Sequence, residues 1–190
     1  RFGKNLVSDY FSKTNLTLAF NLLNKLTKKK SLTKSKLCVL HLRMGDVIDT
    51  NTLWEGPYES RFAPKYVFPR EYYVSIVKRL KRRNVVDIVI TAATYHFSKM
   101  QLQQRYYIKK FLKFNDVYLH AVEAFLKENG FRVLRRINCG LPDEDFIFMA
   151  NAEIFVQGGG SYSESIGKMV KMNGGTVLYN RTFIKNQYER

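Results

Sequence analysis

Five short runs rich in apolar and β-branched residues, LCVLHL, VVDIVITAA, FRVLRRI, EIFVQGGG and TVLY, are separated by segments of helical periodicity. No other feature limits the fold so tightly. The first, LCVLHL, is a short apolar run of the kind found in a parallel strand flanked by helices. FPREYYVSIVKRLKRR carries Pro69 at its start and reads as a helix. FSKMQLQQRYYIKKFLKF and NDVYLHAVEAFLKENG read as two further helices, the second ending on Gly130. LPDEDFIFMANA opens with Pro142 and three acids, which suit the positive end of a short helix. SYSESIGKMVKMNGG supplies another. Strands alternating with helices predict an α/β chain, a Rossmann-like doubly wound parallel sheet with helices on both faces. Residues 1–190 form a single domain on this reading, and residues 1–36 contribute an N-terminal helix and a lysine-rich loop leading into it.

In such sheets a ligand sits beyond the carboxyl ends of the strands. Three loops then share one rim: the end of the first strand, the Ala92–Ser98 region, and GGGSYS. The stretch Gln157–Gly167, QGGGSYSESIG, is the most telling. Glycines let backbone N–H groups approach a ligand with no Cβ in the way. Ser161 and Ser163 then fall at a helix N-terminus, where free amides and the dipole favour an anion. Gly159, Gly160, Ser161, Tyr162 and Ser163 are therefore candidate phosphate-binding residues. The alternative is a glycine turn with Ser161 as an ordinary N-cap. The stretch is neither a Walker loop nor GxGxxG.

Arg43 emerges where the first strand ends, and an arginine grips phosphate oxygens with paired donors. Its alternative is an ion pair with Asp46 or Asp49. His41, two residues earlier, shares a strand face with it; its alternative is a hydrogen-bonded core histidine. His120 reads as a core residue and His96 as a loop residue without a partner. The histidines and cysteines lack metal-ligand spacing, so no metal or other cofactor is expected.

Lys and Arg number 32 against 16 Asp and Glu, a net charge of +16, which predicts anionic partners. A basic nucleic-acid-binding module is one reading of that surplus, supported by KRLKRRN at Lys78–Asn84. Against it, the basic residues are spread over several helices. Cys38 and Cys139 read as reduced thiols. No apolar run is long enough to span a membrane. The start, RFGKNLVSDYF, reads as a catalytic domain taken from a longer chain, with any membrane anchor outside it. Cytoplasm and secretory lumen both stay open, and two Asn-x-Thr triplets, at Asn15 and Asn180, would be acceptors in the latter.

HLRMGD, from His41, resembles the His-x-Arg-Arg-x-Asp motif of GT-B type fucosyltransferases, the α1,2-, α1,6- and protein O-fucosyltransferase group. DEDFIFMANAEIFVQGGGSYSESIGKM resembles their second donor motif, and order and separation agree. The resemblance implies a donor lobe for a nucleotide sugar, GDP-fucose or another GDP- or UDP-sugar, and an inverting, metal-independent transfer to a glycan or glycoprotein hydroxyl. It implies Arg43 on the β-phosphate, His41 against the base, Ser161 or Ser163 on the pyrophosphate, and Asp145 reading guanine. Met44 stands where the motif has its second arginine, which leaves the sugar open. A base must take the acceptor's proton. Asp46 is the first candidate, ahead of Asp49 and Glu55; Trp54 and Tyr58 are candidates to stack on the acceptor. A catalytically inactive nucleotide-binding scaffold is the third reading.

Overall fold

The computed structural model describes residues 37–49, 54, 66–94, 105–139 and 142–185, with isolated positions 18 and 21. Its elements alternate: β1 (Cys38–Leu42), α1 (Arg70–Lys81), β2 (Asp87–Ala92), α2 (Arg105–Glu128), β3 (Arg132–Ile137), α3 (Pro142–Ala150), β4 (Ile154–Val156), α4 (Gly160–Met172), β5 (Thr176–Leu178) and a short α5 (Arg181–Lys185). The strands form one sheet, all parallel, in the order β3-β2-β1-β4-β5. The chain builds outward from β1 through β2 to β3, then returns to place β4 on the other flank of β1. This reversal is the topological switch point of a doubly wound sheet, and β1 lies at its centre.

Strand parity sorts the two layers. Cys38, Leu40 and Leu42 face a cluster holding Tyr72, Tyr73, Ile76 and Leu80 of α1 and Tyr118, Val122 and Leu126 of α2. Val39 faces the other way, packing with Phe155 and Val177 against Met149 of α3 and Ile166 and Val170 of α4. Each fully buried aliphatic side chain contributes about 1.5–3 kcal/mol, so these layers hold the sheet. Burial also pushes the Cys38 thiol up to about 12; it packs as an apolar side chain. Cys139 is exposed, and both are free.

The two helices expected around Asn115 are one. Asn115 sits inside α2, fully buried, with its Nδ2 donating to the Phe111 carbonyl at 2.7 Å and to the Gly45 carbonyl at 3.1 Å, while its Oδ1 accepts the Gly45 N–H at 2.7 Å. An Asn-Asp pair reads locally as a helix start, but a distant backbone here supplies the partners. Gly45 has φ +87°, so the turn it makes after β1 suits glycine, and Asn115 clamps both its polar groups. Pro69 is the N-cap of α1 rather than its first residue. Gly130 takes φ +89° just past α2, as expected of a C-terminal glycine. His120 is exposed, not core, with Nδ1 at 2.7 Å from the Asp116 carbonyl oxygen. The short α5 was not foreseen. The 1–36 segment, apart from positions 18 and 21, lies outside the described residues.

Candidate functional site

A cleft of about 700 Å³ opens beyond the carboxyl ends of β1 and β2. Its walls come from His41 to Val47, Thr91 to Ala93 and Gly159 to Tyr162, joined by Asn138, Pro142, Asp145 and Met149. The three loops expected on one rim are thus brought together, though residues 95–98 of the second lie outside the described residues. α3 adds a further wall that carries Asp145, the acid expected at the donor site, with Pro142 and Met149 beside it.

The glycine turn has a concrete steric cause. A Cβ on Gly158 would collide with the His41 carbonyl oxygen and lie 3.0 Å from His41 Nδ1. One on Gly159 would lie 2.5 Å from Tyr66 Cα and 2.6 Å from its carbonyl carbon. Gly160 has φ +86°. The turn therefore threads between the end of β1 and the Tyr66 segment. It is fixed from outside by Tyr72, whose hydroxyl donates to the Gln157 carbonyl at 2.5 Å.

Ser163 does not offer its hydroxyl to a ligand. It is buried, and its Oγ accepts the Gly158 N–H at 2.8 Å, so it braces the turn instead. Ser161 is exposed at the cleft and is not an N-cap. The cap is Gly159, which has no side chain to give, so among the described residues α4 opens into the cleft with no side-chain cap on its first amides. Such a terminus favours an anion.

His41 lies on the cleft floor, 5% exposed, and its Nδ1 has no hydrogen-bond partner among the described residues. Burial pushes its pKa down to about 3, helped by the Arg43 guanidinium, so the ring is neutral at physiological pH. Its register partner Thr91 is also buried with an unpartnered hydroxyl. Both share the sheet face of Val39, beneath α3 and α4. The unfolded ring titrates near 6.5. Below that pH the unfolded chain binds a proton that the folded chain refuses until about pH 3. Stability is therefore present above pH 6.5 and lost as the pH falls. Urea unfolding at pH 7 and pH 5 should show a loss of about 2 kcal/mol from this ring, absent in His41→Gln. An equal loss in the variant would acquit His41.

Arg43 is half-buried and already engaged. Its Nη2 donates to Asp46 Oδ1 at 2.7 Å and its Nη1 to the Met44 carbonyl at 2.6 Å. The alternative reading of Arg43, an ion pair with Asp46, is thus present within the cleft, and the two candidate catalytic residues hold each other. Met44 is buried in the core, so no second cation replaces the motif's arginine there.

Asp145, on α3, is buried at the cleft wall and accepts from Arg136 Nε at 3.0 Å. Burial raises its pKa, against the pull of Arg136. Tyr162 spans the cleft edge: its hydroxyl donates to the Pro142 carbonyl at 2.6 Å and its ring lies 5.7 Å from His41 and 6.0 Å from Phe146. Burial, then Asp145 and Asp143, hold that phenol protonated.

Trp54 does not stack in the cleft. Its indole packs 5.5 Å from Tyr73, 5.6 Å from Phe125 and 6.3 Å from Tyr118, where its large apolar area joins the core. Asp49 does not line the cleft either. Tyr58, Glu55 and His96 lie outside the described residues. Sequence reasoning missed Asn138, which has φ +55° and ties β3 to the loop after β2 by donating to Thr94 Oγ1 and accepting the Thr94 N–H, each at 2.8 Å. The only local signal was an asparagine directly after a strand, a residue type that tolerates this φ. Among the described residues no cluster of His, Cys, Asp or Glu could hold a metal, and no helix is long and apolar enough to cross a membrane.

No protein-family model matches the sequence, and no curated protein matches it. Among solved structures, POFUT1 in complex with GDP-fucose is similar at 12% identity and a TM-score of 0.44, covering 89% of this chain and 50% of that one. POFUT1 in complex with GDP gives 12% identity and a TM-score of 0.42, over 85% and 46%. The POFUT1 apo-form gives 11% and 0.42, over 88% and 49%. The chain spans about half the length of these proteins, and the likeness is a distant one of fold.

Proposed function

We propose that the cleft binds the diphosphate of a nucleotide sugar and that the chain is the donor lobe of a glycosyltransferase. One observation carries this reading. At the switch point of the sheet, the N-terminus of α4, with no side-chain cap among the described residues, lines the same cleft as Arg43 and the buried His41, whose Nδ1 has no partner among those residues. Backbone amides, a helix dipole and a guanidinium in one cleft suit a diphosphate. The HLRMGD motif narrows that ligand to a nucleotide sugar.

The chemistry follows from the arrangement. An acceptor hydroxyl attacks the anomeric carbon while the bond to the phosphate oxygen breaks. Charge builds on the departing diphosphate, and fixed donors aimed at it lower the barrier. Asp46 takes the acceptor's proton. In the unliganded cleft its carboxylate is held by Arg43. A bound diphosphate competes for the guanidinium and releases Asp46, so donor binding prepares the base.

A thermal-shift panel of GDP, UDP, GDP-fucose, UDP-xylose and UDP-glucose tests the reading. At a hundred times its Kd, a ligand adds about 2.7 kcal/mol, raising Tm by roughly 5–10 °C in a domain of this size. A shift with one nucleotide series assigns the base, and sugar release from the matching donor then assigns transfer. No shift with any member would end the proposal.

A further inference from the structure

A second cavity, of about 520 Å³, lies at the β5 edge of the sheet and shares no lining residue with the cleft. Arg79 of α1, Lys171 of α4 and Arg181 of α5 converge on it, with Ser75, Tyr179 and Asn180 between them. We propose that this pocket binds a tetrahedral oxyanion, a phosphate or sulfate group, independently of the cleft.

The pairing of the other cations supports this. Arg43, Arg132, Arg135, Arg136, Lys127 and Lys168 each make an ion pair with a carboxylate. Arg79, Lys171 and Arg181 share one concavity, and no carboxylate lines it among the described residues. Like charges gathered in a concave space raise its potential and draw in an anion. At the C-terminal end of α1, Lys78, Lys81, Arg82 and Arg83 are exposed and none lines the pocket. There, water screens each charge separately.

The pocket is also held in shape. Arg79 Nη1 donates to the Tyr179 carbonyl at 2.8 Å, which spends one donor and anchors the guanidinium. Lys171 Nζ lies 5.8 Å over the Tyr179 ring. Asn180 Nδ2 donates to Ser75 Oγ at 3.1 Å, and its Oδ1 accepts the Thr182 N–H at 3.1 Å. That amide is engaged in the wall of the pocket. Arg181 has no partner among the described residues. Donors arriving from three elements match an ion with several equivalent oxygens better than a single carboxylate edge.

NMR titration of the ¹⁵N-labelled chain with inorganic phosphate and with sulfate tests this. Shifts should gather at Val177–Arg181. Lys171→Gln/Arg181→Gln should weaken them at least about tenfold, the scale of a lost charge-assisted contact. Arg43→Ala should leave them unchanged, which separates this pocket from the cleft. Lys78→Gln/Arg82→Gln removes the same charge from exposed residues outside the pocket and should change little. Tighter phosphate than sulfate would assign a phosphate ester, and the reverse a sulfate ester. No shift at Val177–Arg181, shifts confined to Gly159–Tyr162, or equal weakening by the Lys78/Arg82 pair would each overturn the proposal.

Discussion

Gly159→Ala is expected to destabilise the chain by upwards of about 3 kcal/mol, the top of the range for forcing extra volume into a packed site. The cost is purely steric. Gly159 has φ −76° and ψ 158°, a conformation any residue can adopt. Its absent Cβ would fall within 2.5 and 2.6 Å of Tyr66 backbone atoms. Two backbones must part, because no side chain there can rotate aside. Gly160→Ala is the contrasting case. Its Cβ would meet only the Tyr66 ring, at 3.4 Å, but its φ is +86°. Its cost is torsional, about 1–2 kcal/mol. Urea unfolding of the two variants checks the order. If Gly159→Ala cost no more than Gly160→Ala, Tyr66 would not press on the turn as described. Against a typical stability of about 5–15 kcal/mol, the first change removes a large share.

This contrast shows what the sequence disclosed and what it withheld. GGG after a strand announced a tight turn at a helix start, and the turn lines the cleft. The sequence could not say which glycine answers to which constraint. Gly158 is limited by His41 and Gly159 by Tyr66, both remote in the chain. Periodicity exposed the strand-helix alternation because burial acts locally on every third or fourth residue of a helix. Asn115 misled for the opposite reason: its partner Gly45 lies 70 residues away. Ser163 and Trp54 were read by type, as a hydroxyl near a helix start and an aromatic in a loop. A backbone N–H claimed the first and the core claimed the second. Arg43 and Asp46 were legible as cleft residues. Their mutual bond was legible only as an alternative.

That bond sets the last expectation. Arg43→Ala should weaken nucleoside diphosphate binding by roughly 10- to 100-fold, the scale of a lost charge-assisted contact. Asp46→Asn should act in the opposite direction. It removes the carboxylate that competes with phosphate for Arg43, and with both side chains under one-third exposed the gain is roughly 3- to 10-fold in affinity. On the proposed assignment of Asp46 as the base, turnover should nonetheless fall by about 10²–10⁴-fold in Asp46→Asn. Calorimetric titration and sugar-transfer assays on both variants measure the two effects separately. Tighter binding with lost transfer is the signature of a carboxylate that both restrains Arg43 and takes the proton. Weaker binding in Asp46→Asn would mean that Asp46 orients Arg43 toward the phosphate, and preserved transfer would place the base elsewhere. On the proposed reading, an acid that restrains Arg43 until the donor arrives keeps the base engaged while the cleft is empty. That proposed coupling would run through the three-residue step from Arg43 to Asp46 and the turn at Gly45 that Asn115 holds.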